Sequence, residues 1–327
     1  MKKLLAVCAA AVLAATVCAQ AEAKTVLRFG TDIGRADTQA QGAEHFIKLV
    51  DEKTNGEIEI RFYPDSTLGS TQNLVSQARS GQLDIAMVGG SYMNGLSPKF
   101  AVLDLPFIFK DREHAYRCLD GDIGADLWKT VEPAGLKGLA FFENGFRNIT
   151  NNRKPIVNPE DVAGLKIRVP SSNMLVACFE ALGATPVPMA VGELYTAMET
   201  GAIEAQDHPM PALFSGKFYE VQKYLSMTRH AYTAVAVVMN HKKFDKLTPE
   251  QQQILLDCAH EAANFQRDLN AKSEKDMIAE MEKTGLKVNY DVNADAFVEA
   301  TKGVRDIYIK DNGDEFVKRI DALRDAK

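Results

Sequence analysis

Two arginines carry the most legible chemistry in this chain. Arg147 follows an apolar, strand-like run and Arg168 lies inside a second one, and between them sits a polar stretch of Asn, Pro and Gly that reads as a connection. A guanidinium is costly to bury without an anion, and its planar fork matches a carboxylate in bidentate geometry. Two arginines at strand ends therefore suggest a clamp for the carboxylate of a bound molecule. The competing reading is that each pairs with an Asp or Glu of the chain itself, the commoner fate of an arginine. Asp207 and His208 beside Ser171 could in principle assemble a hydrolytic site, but nothing orders them as orienter, base and nucleophile. The chain has no Gly-rich phosphate loop, HExxH, CxxC or GxSxG. Its six histidines are too scattered to propose a metal site, so neither metal nor cofactor is expected.

The elements that must position these residues can be read from the periodicity. Residues 26–31 (VLRFGT) form a strand, 39–53 a helix stopped by Asn55-Gly56, and 57–63 (EIEIRFY) a second strand. Ser70 caps a helix that ends at Gly81, and 83–90 (LDIAMVGG) is a nearly all-apolar third strand. The chain then writes this βαβαβ unit again. LKIRV (165–169) is followed by a helix capped by Ser171 or Ser172, then TPVPMA, a helix over 193–200, and AIEAQDH (202–208). Parallel sheets bind ligands at the carboxyl ends of their strands. Two such sheets facing each other make a cleft, lined by Asp32, Gly89, Gly90, Ser91 and Tyr92 on one side and Arg168, Ser171, Asp207 and His208 on the other. Arg147 comes from the strand joining them. LDLPFIF (103–109) reads as an apolar strand or connector. YLSMT and AYTAVAVVMN read as two strands, the latter a second crossing. Thr248-Pro249-Glu250 opens a helix running to about Lys283, long enough to lie across both lobes, with apolar positions Leu255, Cys258, Ala262, Phe265 and Leu269.

Residues 1–23 read as a signal peptide: Lys2 and Lys3, an apolar run from Leu4 to Val17, then a small-x-small cleavage site. No later segment approaches the ~18 uninterrupted apolar residues of a membrane span, so a soluble periplasmic protein is expected. The full chain carries a formal net charge of −6, and loss of Lys2, Lys3 and Glu22 makes it one unit more negative. That balance argues against nucleic acid or an anionic membrane as partner. Cys118, Cys178 and Cys258 would remain, an odd number in helical segments that suits small buried hydrophobes. The expected layout is a first lobe over 24–145, a second over 146–240, and a long interlobe helix with terminal helices over 241–327.

The runs EKTNGEIEI, TLGSTQNLVSQARSGQLDIA, LDLPFIF, GFRNITNNRKPI, PEDVAGLKIRVP, ALGATPVPMAVGELYTAMETG and AQDHP together resemble the periplasmic solute-binding proteins of TRAP transporters, of the DctP-like type. The resemblance covers essentially the whole chain after residue 23. It implies an α/β, two-lobed periplasmic-binding-protein (Venus flytrap) fold that closes on an organic acid, acts as a monomer and hands its ligand to a membrane permease. It implies that Arg168 takes the ligand carboxylate, that Arg147 supports it, and that Asp32, Ser70, Gly89, Tyr92, Val191 and His208 stand at ligand-contacting positions. Gly89 and Tyr92 do not support sialic acid, and AQDHP departs from the uronate-binding pattern. A hydroxylated acid and a dicarboxylate both remain open. The alternatives are a periplasmic enzyme acting on a carboxylate and a receptor that presents its ligand to a sensor kinase.

Overall fold

The computed structural model describes residues 24–326. The expected signal peptide, with Cys8 and Cys18, lies outside them. The first half alternates β1 (Thr25–Thr31), α1 (Thr38–Lys53), β2 (Ile58–Tyr63), α2 (Thr71–Ser80) and β3 (Ile85–Gly89). Its boundaries are set by local chemistry. The Asp37 side chain accepts from Gln39 N to cap α1, Ser70 caps α2 through Asn73 N, and Gly81 closes α2 at φ 79°, where a Cβ is disfavoured. Helices α3 (Arg112–Asp120) and α4 (Asp122–Val131) lead into β4 (Leu136–Asn151). The second half repeats the alternation with β5 (Lys166–Val169), α5 (Asn173–Ala181), β6 (Thr185–Pro188), α6 (Val191–Glu199) and β7 (Ala205–His208). There follow α7 (Met210–Ser215), β8 (Tyr224–Asn240), α8 (His241–Phe244), α9 (Pro249–Lys283) and β9 (Lys287–Asn289), and the terminal helices α10 (Ala294–Thr301), α11 (Gly303–Asn312) and α12 (Glu315–Ala322).

The strands do not form two separate sheets. They join in one nine-stranded sheet of order β2-β1-β3-β8-β4-β7-β5-β6, with β9 beside β8. Both flanks are parallel and share one topology, the first strand of each unit lying between the second and the third. The repeat seen in the sequence is therefore a repeat of fold. The centre is antiparallel: β3 pairs β8, β8 pairs β4 along nearly its full length, and β4 pairs β7. YLSMT and AYTAVAVVMN are thus one strand and not two, with a register break opposite Asn148 where they meet. LDLPFIF is a buried connector that begins in a 3-10 helix over Pro98–Asp104; it takes no part in the sheet. Ser172, not Ser171, caps α5.

Helix α9 spans 35 residues, about 50 Å at 1.5 Å per residue, and opens with a reciprocal Thr248–Gln251 capping box. Its first half packs on the sheet and α1 through Leu255, Cys258, Ala259, Ala262 and Ala263, and its far end puts Ile278 and Met281 into the core of the second lobe. The apolar line expected to continue through Phe265 and Leu269 does not do so. Phe265 is exposed and stacks on His45, and the buried positions are Gln266, Arg267 and Asn270. Main-chain accounting explains the substitution. Gln266 accepts from Glu143 N and donates to Glu143 O at 2.8 Å each, and Arg267 donates to Phe141 O at 2.7 Å. These groups of β4 would otherwise be buried without partners. Close approach also needs Gly42 on α1, where a Cβ would come within 2.7 Å of the Gln266 Cβ.

Candidate functional site

Arg168 lies on β5, 1% exposed. It donates to the Met189 carbonyl through Nε and Nη2 at 2.9 and 2.7 Å, and through Nη1 to His208 Nε2 at 3.1 Å. Among the described residues no carboxylate comes within ion-pairing distance of it. Burial, reinforced by the neighbouring Arg147 charge, pulls its pKa down to about 10, so it stays cationic at neutral pH. His208, at the end of β7, is held as a neutral acceptor. Its Nδ1 faces the Gln206 Oε1, and Gln206 Nε2 donates in turn to Thr150 Oγ1 at 2.7 Å, which donates to Gln222 Oε1 at 3.0 Å. Burial and the two arginines push His208 well below the ordinary histidine value. A donor relay thus fixes the imidazole lone pair on Arg168.

Arg147, on β4, has a different fate. It forms a buried ion pair with Asp207, with Nη2 2.9 Å from Oδ1, and Nη1 donates to Thr233 Oγ1 at 3.0 Å. His230 Nε2 approaches the other Asp207 oxygen at 3.2 Å. Burial alone would raise Asp207, but Arg147 and His230 hold its pKa below the usual carboxylate range. The two arginines are therefore not an equivalent clamp. Arg147 follows the internal-pair reading, and Arg168 is left as the uncompensated cation.

Both arginines border a cavity of about 80 Å³ between the flanks of the sheet, room for a small molecule and not for an oligomer. Asp32, Gly89, Ser91, Tyr92, Val191 and His208 also line it. Four expected residues do not. Gly90 packs against Ala234 of β8, Ser70 is spent on capping α2, Asp207 sits fully buried behind Arg147, and Ser171 is exposed, 3.5 Å from the Gln72 amide at the cleft mouth. The lobes meet around the cavity: Ser172 donates to Asp104 at 2.7 Å, beside Ser91 and Asn94, and Ser215 donates to Asp37 at 2.9 Å. Sequence reasoning missed Gln39, Asn144 and Thr233 as lining residues. Asn144 is the extra residue of a β-bulge between Glu143 and Gly145, with Gly145 at φ 112°, and a bulge re-aims a side chain without any sign in the alternation.

The family model for bacterial extracellular solute-binding proteins, family 7 (DctP), matches residues 29–311. The chain belongs to this family. The 2,3-diketo-L-gulonate-binding periplasmic protein YiaO of Escherichia coli is 44% identical over 301 residues, 91% of this chain and 92% of that one. A TRAP periplasmic solute-binding protein from a Polaromonas species, solved with D-erythronate, matches with TM-score 0.90 at 31% identity, over 93% of this chain and 100% of that one. One from Sulfurospirillum deleyianum, solved with succinate, matches with TM-score 0.86 at 30% identity, over 92% and 99%. Family 7 relatives and structural neighbours are binding proteins, not enzymes, and this chain shares their two-lobed fold. Among its described residues no helix is long and apolar enough to cross a membrane, and no group of three or more His, Cys, Asp or Glu is placed to hold a metal.

Proposed function

We propose that this protein is the extracytoplasmic receptor of a TRAP transporter, exported by residues 1–23, which captures an organic acid and delivers it to a membrane permease. The ligand class is a sugar acid, C4-dicarboxylate or related hydroxy-carboxylate. One observation carries the reading: a guanidinium buried to 1% exposure, fixed by a carbonyl and a neutral imidazole, with no carboxylate of its own. A buried cation without a partner is costly, and the missing partner is an anion entering the cavity. The ligand carboxylate salt-bridges to Arg168, and Arg147, held by Asp207, supports it. Because both lobes line the cavity, a ligand there favours the closed arrangement, with β4 and β8 as the connecting strands. The lobes accordingly divide near 145/146 and 240/241, and one chain suffices for the site.

The test is a thermal-shift screen of the purified protein against organic acids, followed by calorimetry and recovery of the ligand. A receptor is stabilised by mass action, ~2.7 kcal/mol at a ligand concentration one hundred times Kd, and the acid is recovered unchanged. A screen in which no carboxylate raises the melting temperature overturns the assignment.

A further inference from the structure

Beyond Arg168, the cavity presents three polar groups whose hydrogen-bonding capacity is unspent. Gln39 is 3% exposed, and its Nε2 is buried in the cavity wall with no acceptor in full hydrogen-bond geometry, the Asp37 carboxylate standing close by. Asn144 presents a buried Oδ1 without a donor. Asp32 accepts from Thr71 Oγ1 but has no cation within ion-pairing distance among the described residues. The backbone around both amides is tied to α9. Asn270 of α9 donates to Asn144 O at 3.2 Å and accepts from Thr38, next to Gln39, at 3.5 Å, while Gln266 bonds both Thr38 and the Glu143 backbone. An unpartnered buried polar atom costs stability unless something else satisfies it, so two of them in one cavity wall point to a ligand.

The donor and acceptor types decide which ligand. A second carboxylate can accept from Gln39 but offers nothing to Asn144 Oδ1 and meets the Asp32 carboxylate as a like charge. An ammonium satisfies Asp32 and Asn144 but leaves Gln39 facing a pure donor. A hydroxyl accepts from Gln39 and donates to Asn144 or Asp32, and so satisfies the set. Building on the receptor reading above, we propose that this cavity selects a monocarboxylate bearing hydroxyl groups over a dicarboxylate or an amino acid, and that Gln39 and Asn144 are its specificity-determining residues. Arg168 recognises what all these acids share. The amides recognise what distinguishes them.

The test uses matched acids, D-erythronate against succinate and 4-aminobutyrate, and D-gluconate against adipate, titrated calorimetrically into the wild-type protein and into Gln39→Met and Asn144→Leu. The wild type is expected to bind at least one hydroxy acid about tenfold or more tighter than its matched competitors, the scale of one hydrogen bond left unmade at a buried site. Each variant is expected to lose about tenfold for the hydroxy acid while any competitor affinity stays within about twofold. Equal or tighter wild-type binding of succinate, adipate or 4-aminobutyrate overturns the proposal, as does a variant that weakens all acids alike. If a variant does not fold, the wild-type ratio decides. Binding of carboxylates without preference sinks this inference and leaves the receptor reading standing, whereas binding of no carboxylate sinks both.

Discussion

Arg147→Met and Arg168→Met are expected to fail in opposite ways. The two guanidiniums are almost equally buried, 3% and 1% exposed, but only Arg147 has an internal counter-ion. Removing it strands the Asp207 carboxylate, which is fully buried and keeps only His230 as a hydrogen-bonding side-chain partner. Breaking a buried pair in this way costs ~3–5 kcal/mol. Removing Arg168 strands no charge. It leaves the Met189 carbonyl and the buried His208 Nε2 without their donors, a loss of roughly 1–3 kcal/mol each, and relieves the several kcal/mol spent on holding a lone buried cation. The ligand-free Arg168→Met protein should therefore stay within about 2 kcal/mol of wild type. Binding should show the reverse. The proposed salt bridge to the ligand would disappear with Arg168, and ~3–5 kcal/mol at 1.4 kcal/mol per decade is a loss of roughly 150- to 4,000-fold in affinity. Urea unfolding of the ligand-free proteins and calorimetry with the best acid measure both quantities. An Arg168→Met variant that binds within about threefold of wild type, or an Arg147→Met variant as stable as wild type, would refute the reasoning.

Two further outcomes follow from buried charge. Because His208 titrates well below its unfolded value of about 6.5, its contribution to stability is complete above that pH and is lost as pH falls toward the folded value. Wild type should thus lose ~1.4 kcal/mol per pH unit below 6.5 relative to His208→Gln, and parallel stability profiles of the two proteins would contradict this. Glu143 is fully buried and accepts from Arg112 Nε at 2.8 Å, Tyr116 OH at 2.6 Å and Asn270 Nδ2 at 2.7 Å. Glu143→Gln keeps the shape and removes the charge, and should lower stability by roughly 3 kcal/mol with an unchanged urea m-value, since hydrogen bonds to a charged acceptor are the ones weakened.

Legibility in the sequence followed the range of the interaction. Helix starts and stops depend on a few adjacent residues, and Ser70, Gly81, Thr248 and Pro249 announced theirs. The repeated βαβαβ order was readable because each copy brings its own pattern of periodicity. Sheet membership was not, because the apolar runs of β4 and β8 show that they are buried and not which strands they pair with. The site divided in the same way. Arg168 declared itself by residue type and by its place at the end of a parallel strand. The internal pairing of Arg147 depends on Asp207, sixty residues on, which no local pattern connects to it. Gln39 sits in the first turn of a helix, where a polar residue ordinarily reads as solvent-facing, and Asn144 is aimed by a bulge. On α9 the same blindness exchanged Gln266 for Phe265, since hydrophobicity cannot anticipate a buried glutamine whose task is to complete a neighbouring strand's hydrogen bonds.

The long β4–β8 ladder makes the connection between the lobes a torsion bar and not a loose joint. Displacement of one flank against the other must be absorbed as twist along hydrogen-bonded strands, which store it elastically and return it. The ladder slips register at three places, near Leu139, Asn144 and Asn148, and twist concentrates where the ladder is interrupted. Two of these weak points adjoin the cavity's own machinery, Asn144 in its wall and Asn148 next to Arg147. Two of the three compliant points of the frame thus adjoin residues that line the cavity, so the stiffness of the bar and the shape of the cavity wall are set by neighbouring residues.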